Sequence, residues 1–150
     1  MKKFNFRLEK IKRYKEQLEQ EKKLKLAAER QNLFKEQNTL TDIVKVQDRY
    51  WTQYSERKLG KINVNQLIVT RRYLDKLAKD VSVQTKKVKR AENKVTKAQD
   101  AYIQASKEKK KYEKLKEKHL ELYTKESQRL ENIELDEFGS RRKLAEASIS

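Results

Sequence analysis

The chain contains no cysteine and no proline, only two glycines and one histidine, and no long apolar run. Each absence excludes something. Without cysteine there is no disulfide and no thiolate metal site, which fits a reducing compartment. His119 alone cannot build a histidine-based metal centre. No stretch approaches the ~18 consecutive apolar residues of a membrane span. The basic start Met1-Lys2-Lys3 is not followed by the apolar block of a signal peptide. A cytoplasmic location is expected. With no proline, and glycine only at positions 60 and 139, almost nothing can force a helix to stop.

What the chain has in abundance is charge. Its 150 residues are 41% charged and 35% hydrophobic, with a mean hydropathy of −1.14 and a net charge of +16. Such a composition cannot fill a broad core, but it can supply a narrow seam between long helices. Uniformly polar chains often stay unfolded. Here the apolar residues recur in phase, which argues for helix instead.

The first arm carries Phe4, Leu8, Ile11 and Leu18, then Leu26, Leu33, Leu40, Gln47 and Tyr54 at steps of seven. The step from Leu18 to Leu26 is eight, so the seam is expected to drift there. Glu36, Ile43 and Tyr50, or Gln37, Val44 and Trp51, complete the stripe. The second arm is more regular: Leu67, Leu74, Val81, Val88, Val95 and Tyr102 alternate with Leu77, Gln84, Ala91, Ala98, Ala105 and Tyr112. That is a coiled-coil seam. Past Tyr112 the stripe runs on through Leu115, His119, Leu122, Leu130 and Ile133.

Between the arms lies the segment from Lys58 to Asn65, with Gly60 as its break and Asn63 and Asn65 as candidate N-caps. A connection that short makes the arms antiparallel. The expected fold is all-α: two long helices forming an antiparallel coiled-coil hairpin, read as a single domain over residues 1–150. Arm one covers about 4–58, the bend about 59–65, arm two about 66–138 and a basic tail 139–150, with Gly139 and Ser140 as the stop signal of arm two. A bend near Ile62 sets Phe4 beside residues near Leu120. The end of the second arm is then an unpaired overhang.

Charge is distributed unevenly. The stretch Lys86 to Lys118 holds thirteen Lys or Arg against five acids, Glu121 to Glu137 is acidic, and Arg141-Arg142-Lys143 is basic again. Such excess positive charge suits an acidic or polyanionic partner, or simply a solvated helix face. No glycine-rich phosphate loop, His-Glu metal spacing or nucleophile with a neighbouring base is present. No enzymatic activity, cofactor or metal is expected. The aromatics Tyr50, Trp51, Tyr54 and Tyr73 flank the bend, and adjacent Tyr50 and Trp51 cannot both face a seam. One of them points outward, where aromatics anchor protein interfaces.

The opening Met1-Lys2-Lys3-Phe4-Asn5-Phe6-Arg7-Leu8-Glu9-Lys10 resembles the start of the flagellar export protein FliJ family. So do Gln47-x-x-Tyr50, the run Tyr73-Leu74-x-x-Leu77-x-x-x-Val81-x-x-Gln84, and the ending Leu135-Asp136-Glu137-Phe138-Gly139-Ser140-Arg141-Arg142. The resemblance implies a non-enzymatic component of the flagellar type III export apparatus, similar to the central stalk of rotary ATPases. It implies contact with the ring of the export ATPase FliI through Phe4, Arg7, Leu8, Ile11, Leu130, Ile133, Arg141 and Arg142. It also implies contact with the export-gate protein FlhA through Gln47, Tyr50, Tyr54, Tyr73, Leu77 and Gln84, although the family often carries histidine where Gln84 stands. Export chaperones are further partners by the same resemblance, and the location becomes cytoplasmic with peripheral association at the inner membrane. Two other functions suit the residues alone: a basic coiled-coil nucleic-acid-binding protein, and a stalk subunit of a related secretion or rotary ATPase system.

Overall fold

A computed structural model describes residues 3–148 of the chain. Met1 and Lys2 of the opening motif, and residues 149–150 of the expected basic tail, lie outside the described residues. Two helices, α1 (Glu9–Arg57, 49 residues) and α2 (Val64–Ala147, 84 residues), pack against each other as a helical hairpin. Among the described residues there is no strand.

The ends of the helices follow from local chemistry. Residues 3–6 are not helical, so α1 begins later than the pattern suggests. The Glu9 amide donates to the Phe6 carbonyl (3.1 Å), which satisfies one of the donors that every helix start leaves open, and the Lys12 amide donates to the Leu8 carbonyl (2.9 Å) as the first helical bond. Glu9 in the first turn and Arg57 in the last complement the helix dipole. At the bend the Leu59 amide donates to the Glu56 carbonyl at 3.1 Å, and the Gln66 amide donates to Asn63 Oδ1 at 3.4 Å. Asn63 is therefore the N-cap of α2, while Asn65 lies inside the helix. Gly60 has no positive φ, and a Cβ there would meet nothing within 4 Å. The reversal does not depend on its being glycine.

The residues group into two compact units, one of Met1–Glu19 with Ala105–Ser150 and one of Gln20–Gln104. In the Gln20–Gln104 unit, Leu26 on α1 and Leu74, Leu77, Gln84, Val88, Ala91 and Ala98 on α2 are buried. Leu33, Leu40, Gln47, Tyr54, Leu67, Val81 and Val95 are half-buried beside them. The expected seam of α2 is the seam that forms. Partners count down α1 as they count up α2: Arg57 donates to Thr70 at 3.3 Å, the Tyr50 and Tyr73 rings lie 4.6 Å apart, and Glu36 meets Gln84. The arms of this unit run antiparallel.

In the unit of Met1–Glu19 with Ala105–Ser150 the pairing is again antiparallel from Glu19 to Phe4, but ions replace apolar residues. Lys109 Nζ lies 2.8 Å from Glu19, Lys15 Nζ 3.8 Å from Glu108, and Lys116 Nζ 2.9 Å from Glu9. The ring of Phe6 stands edge-on to His119 at 5.6 Å, and Phe4 meets Tyr123 at 5.4 Å. The expected drift at the eight-residue step is replaced by charge. Seven residues before Leu26 stands Glu19, which is 7% exposed, and seven before that the half-buried Lys12, whereas Ile11 is 42% exposed. The heptad register continues because Lys109 neutralises the carboxylate that occupies the seam.

A second difference concerns Gly139. Helix α2 passes through it to Ala147, beyond the stop expected near Phe138, and residues 139–147 are helix rather than a tail. A glycine cap needs a left-handed backbone, and neither glycine has a positive φ. In a helix interior glycine costs only about 1 kcal/mol relative to alanine. Pairs one turn apart, Arg141 with Glu137 across the glycine (3.8 Å) and Arg142 with Glu146 after it (3.2 Å), help offset that cost.

Candidate functional site

Near the bend, within the Gln20–Gln104 unit, the aromatic residues divide between seam and surface. Tyr50 is half-buried, its ring tilted 60° against that of Tyr73. Trp51 turns outward, is 40% exposed, and stands edge-on to Tyr54 at 5.8 Å. Arg71 lies over the Trp51 ring at 5.7 Å, and Lys58 Nζ lies over the Tyr54 ring at 4.5 Å. Each such cation contributes about 0.5–1 kcal/mol at an exposed site. The result is an exposed patch of two rings and two cations. Arg71 and Lys58 were not foreseen, because the pairing of a cation with a ring one turn away or on the facing helix is not a heptad feature.

The six residues expected at the export gate do not share one surface. Tyr50, Tyr54, Tyr73 and Gln47 are half-buried near the bend, but Leu77 and Gln84 are buried in the seam at 5% exposure each. Gln84 Nε2 donates to the Glu36 backbone carbonyl at 3.0 Å and also to the Glu36 carboxylate. A buried amide so engaged fixes the pairing of the helices and cannot itself reach out to a partner.

In the unit of Met1–Glu19 with Ala105–Ser150, Arg7 and Ile11 are exposed and Phe4 and Leu8 half-buried. Leu8 joins Tyr112, Leu115, Lys111, Lys114 and Lys118 around an open groove of about 540 Å³. Beyond Tyr123 every described residue of the chain except the half-buried Ser127 is exposed. Leu130 and Ile133 are 38% and 42% exposed, and Leu135, Phe138 and Leu144 about 70%. Ile133 and Leu144 border a shallow concavity with Asp136, Glu137, Ser140 and Arg141. Exposed apolar surface of this extent along one helix is unusual for a surface helix in water. Leu135, Phe138 and Leu144 went unremarked as exposed residues, although their place past the last cross-helix contact is the signal that marks them.

Ion pairs tune this unit. The Lys116 ammonium, through its hydrogen bond, holds the Glu9 carboxyl below the usual carboxylate range, and the hydrogen bond to Glu19 pushes the Lys109 ammonium up. On the overhang, Arg129 lowers Glu126 in the same way. Among the described residues no three His, Cys, Asp or Glu side chains are grouped to hold a metal ion. No helix of the described residues is long and apolar enough to cross a membrane.

The family described as "Flagellar FliJ protein" matches residues 4–148, and the chain belongs to that family. It is accordingly a component of the flagellar export apparatus, in a family that is non-catalytic. Neither the curated proteins nor the solved structures compared with the chain gave a match.

Proposed function

We propose that the chain binds the ring of the export ATPase FliI through Phe4, Arg7, Leu8, Ile11, Leu130, Ile133, Arg141 and Arg142, and promotes ATP hydrolysis there. It couples that activity to the export-gate protein FlhA through the aromatic surface near the bend. The chain itself is not an enzyme; hydrolysis belongs to the ATPase. It works at the cytoplasmic face of the inner membrane, held peripherally by the apparatus, and export chaperones are further partners.

One observation carries the reading: α2 continues past Tyr123 as a helix with exposed Leu130, Ile133, Phe138 and Leu144 and a basic end at Arg141, Arg142 and Lys143. An apolar helix face has a cost in water that only a partner removes. Basic side chains beside it favour an acidic partner surface and speed encounter with it. At the bend, Trp51, Tyr54, Arg71 and Lys58 are the residue types that anchor interfaces. They extend the gate-facing set, while buried Leu77 and Gln84 act by holding the helices in register.

The test is a pull-down of the ATPase and of the gate protein, paired with measurement of ATP hydrolysis. Reversing Arg141, Arg142 and Lys143 to Glu should weaken stimulation of the ATPase while helicity is retained. An unchanged hydrolysis rate with that triple variant would overturn the ring contact.

A further inference from the structure

Two surfaces within the unit of Met1–Glu19 with Ala105–Ser150 complement each other, and neither is covered by the chain that carries them. The first is the groove of about 540 Å³, whose apolar wall is Leu8, Tyr112 and Leu115 and whose cations are Lys111, Lys114 and Lys118. The second is the face of α2 at Ile133 and Leu144, with Asp136 and Glu137 beside them. Charge around the groove and around the Ile133 end of the second surface is of opposite sign: Lys107 to Lys118 holds seven lysines against three glutamates, and Glu121 to Glu137 holds six acids against two bases, with Arg141 to Lys143 forming a basic end beyond that acidic stretch.

The two surfaces cannot meet within one molecule. Apart from Leu8 in the groove, both are on α2, which is helical without interruption from Val64 to Ala147. Leu115 and Ile133 are separated by eighteen residues, which is about five turns and about 27 Å along the axis. Five whole turns also place them on the same side of the helix. If two copies of α2 lie antiparallel about a two-fold axis near Thr124, Leu115 of each falls opposite Ile133 of the other. The same register sets Tyr112 level with Asp136 and Lys111 level with Glu137. A two-fold axis makes both contacts at once and closes the assembly at two chains.

We propose that the chain forms an antiparallel dimer in which the acidic, apolar stretch of the overhang up to Glu137 of each copy occupies the lysine-rimmed groove of the other. The inference does not rest on the ATPase reading; because Leu8 and Ile133 serve in both, the dimer and the ring-bound chain are mutually exclusive states. Lys114 and Lys118 have no ion-pair partner among the described residues, and the exposed Lys111 has only Glu108 at 3.5 Å. Asp136 has no ion-pair partner among the described residues, and Glu137 has only Arg141 at 3.8 Å. The partner copy supplies what is missing: carboxylates for the lysines and an apolar wall for Ile133.

Sedimentation equilibrium on the full chain, over a protein concentration series at low and high salt, tests this. Dimer is expected at low salt, weakening as salt rises. Lys111→Glu with Lys114→Glu should raise the dissociation constant about tenfold or more, and so should Glu134→Lys with Glu137→Lys, the residues level with Lys114 and Lys111 in this register. Combining all four substitutions in one chain should bring it back to within about threefold of the original, because the swapped charges meet again. Circular dichroism confirms that each variant remains helical. A chain that stays monomeric throughout the series overturns the proposal. So does a dimer indifferent to Lys111 and Lys114, which would mean that overhang pairs with overhang, and so does failure of the four-fold swap to restore association.

Discussion

Leu74 offers the most direct test of the seam. It is 2% exposed, the most deeply covered large side chain on α2. Replacing it with alanine removes three buried carbon atoms and leaves a space that neighbouring residues can only partly refill. Leucine to alanine in a globular core costs 2–5 kcal/mol, and the spread reflects how well the site collapses. A seam between two helices is open to water along both sides, so relaxation is easier and the lower part of the range applies, about 2–3 kcal/mol. Leu122 is the control: it is 65% exposed, and its replacement by alanine should change stability by less than about 0.5 kcal/mol. Urea unfolding followed by helix circular dichroism reads both. If Leu74→Ala unfolds within about 0.5 kcal/mol of the original chain, or Leu122→Ala costs as much as Leu74→Ala, the seam is misplaced.

At the bend, Gly60→Ala should be neutral or stabilise by about 0.4–1 kcal/mol, since it restricts the unfolded chain and introduces no clash. Asn63→Ala should cost about 0.5–1 kcal/mol through loss of the α2 cap, and a reversed order of the two effects in thermal melts would refute this account of the turn. Stability should also depend on pH at both extremes. The lowered Glu9 carboxyl contributes stability above its unfolded value near 4.5 that is lost as pH falls through the folded value, and Glu9→Gln should flatten that limb. The raised Lys109 contributes stability that is complete below 10.5 and lost as pH rises past its folded value, and Glu19→Gln should flatten that limb in turn. Melting temperatures across a pH series measure both limbs.

The heptad of α2 was readable because helical periodicity is a local property. Leu74, Leu77, Val88 and the alanines at 91, 98 and 105 are apolar at steps that only one side of a helix can bring together. The antiparallel pairing followed from the short segment between the arms, and the Phe4 to Tyr123 contact lies where counting outward from the bend puts it. The split between Tyr50 and Trp51 was legible too, since neighbours on a helix point about 100° apart.

Other features depended on what stands across the seam. Glu19 reads as a surface residue by type, and it is covered because Lys109 approaches from the facing helix. Gln84 reads as a flaw in an apolar row until Glu36 is seen to accept its amide protons. Gly139 reads as a stop, yet a cap requires a backbone turn that nothing there imposes, and α2 simply continues. The candidate surfaces divide in the same manner. The sequence by itself determined two helices, their direction and their apolar stripe, because those follow from spacing along one chain. Only the tertiary structure decided which charged residues enter the seam and which apolar residues are left in water, because burial and pairing are properties of two surfaces in contact.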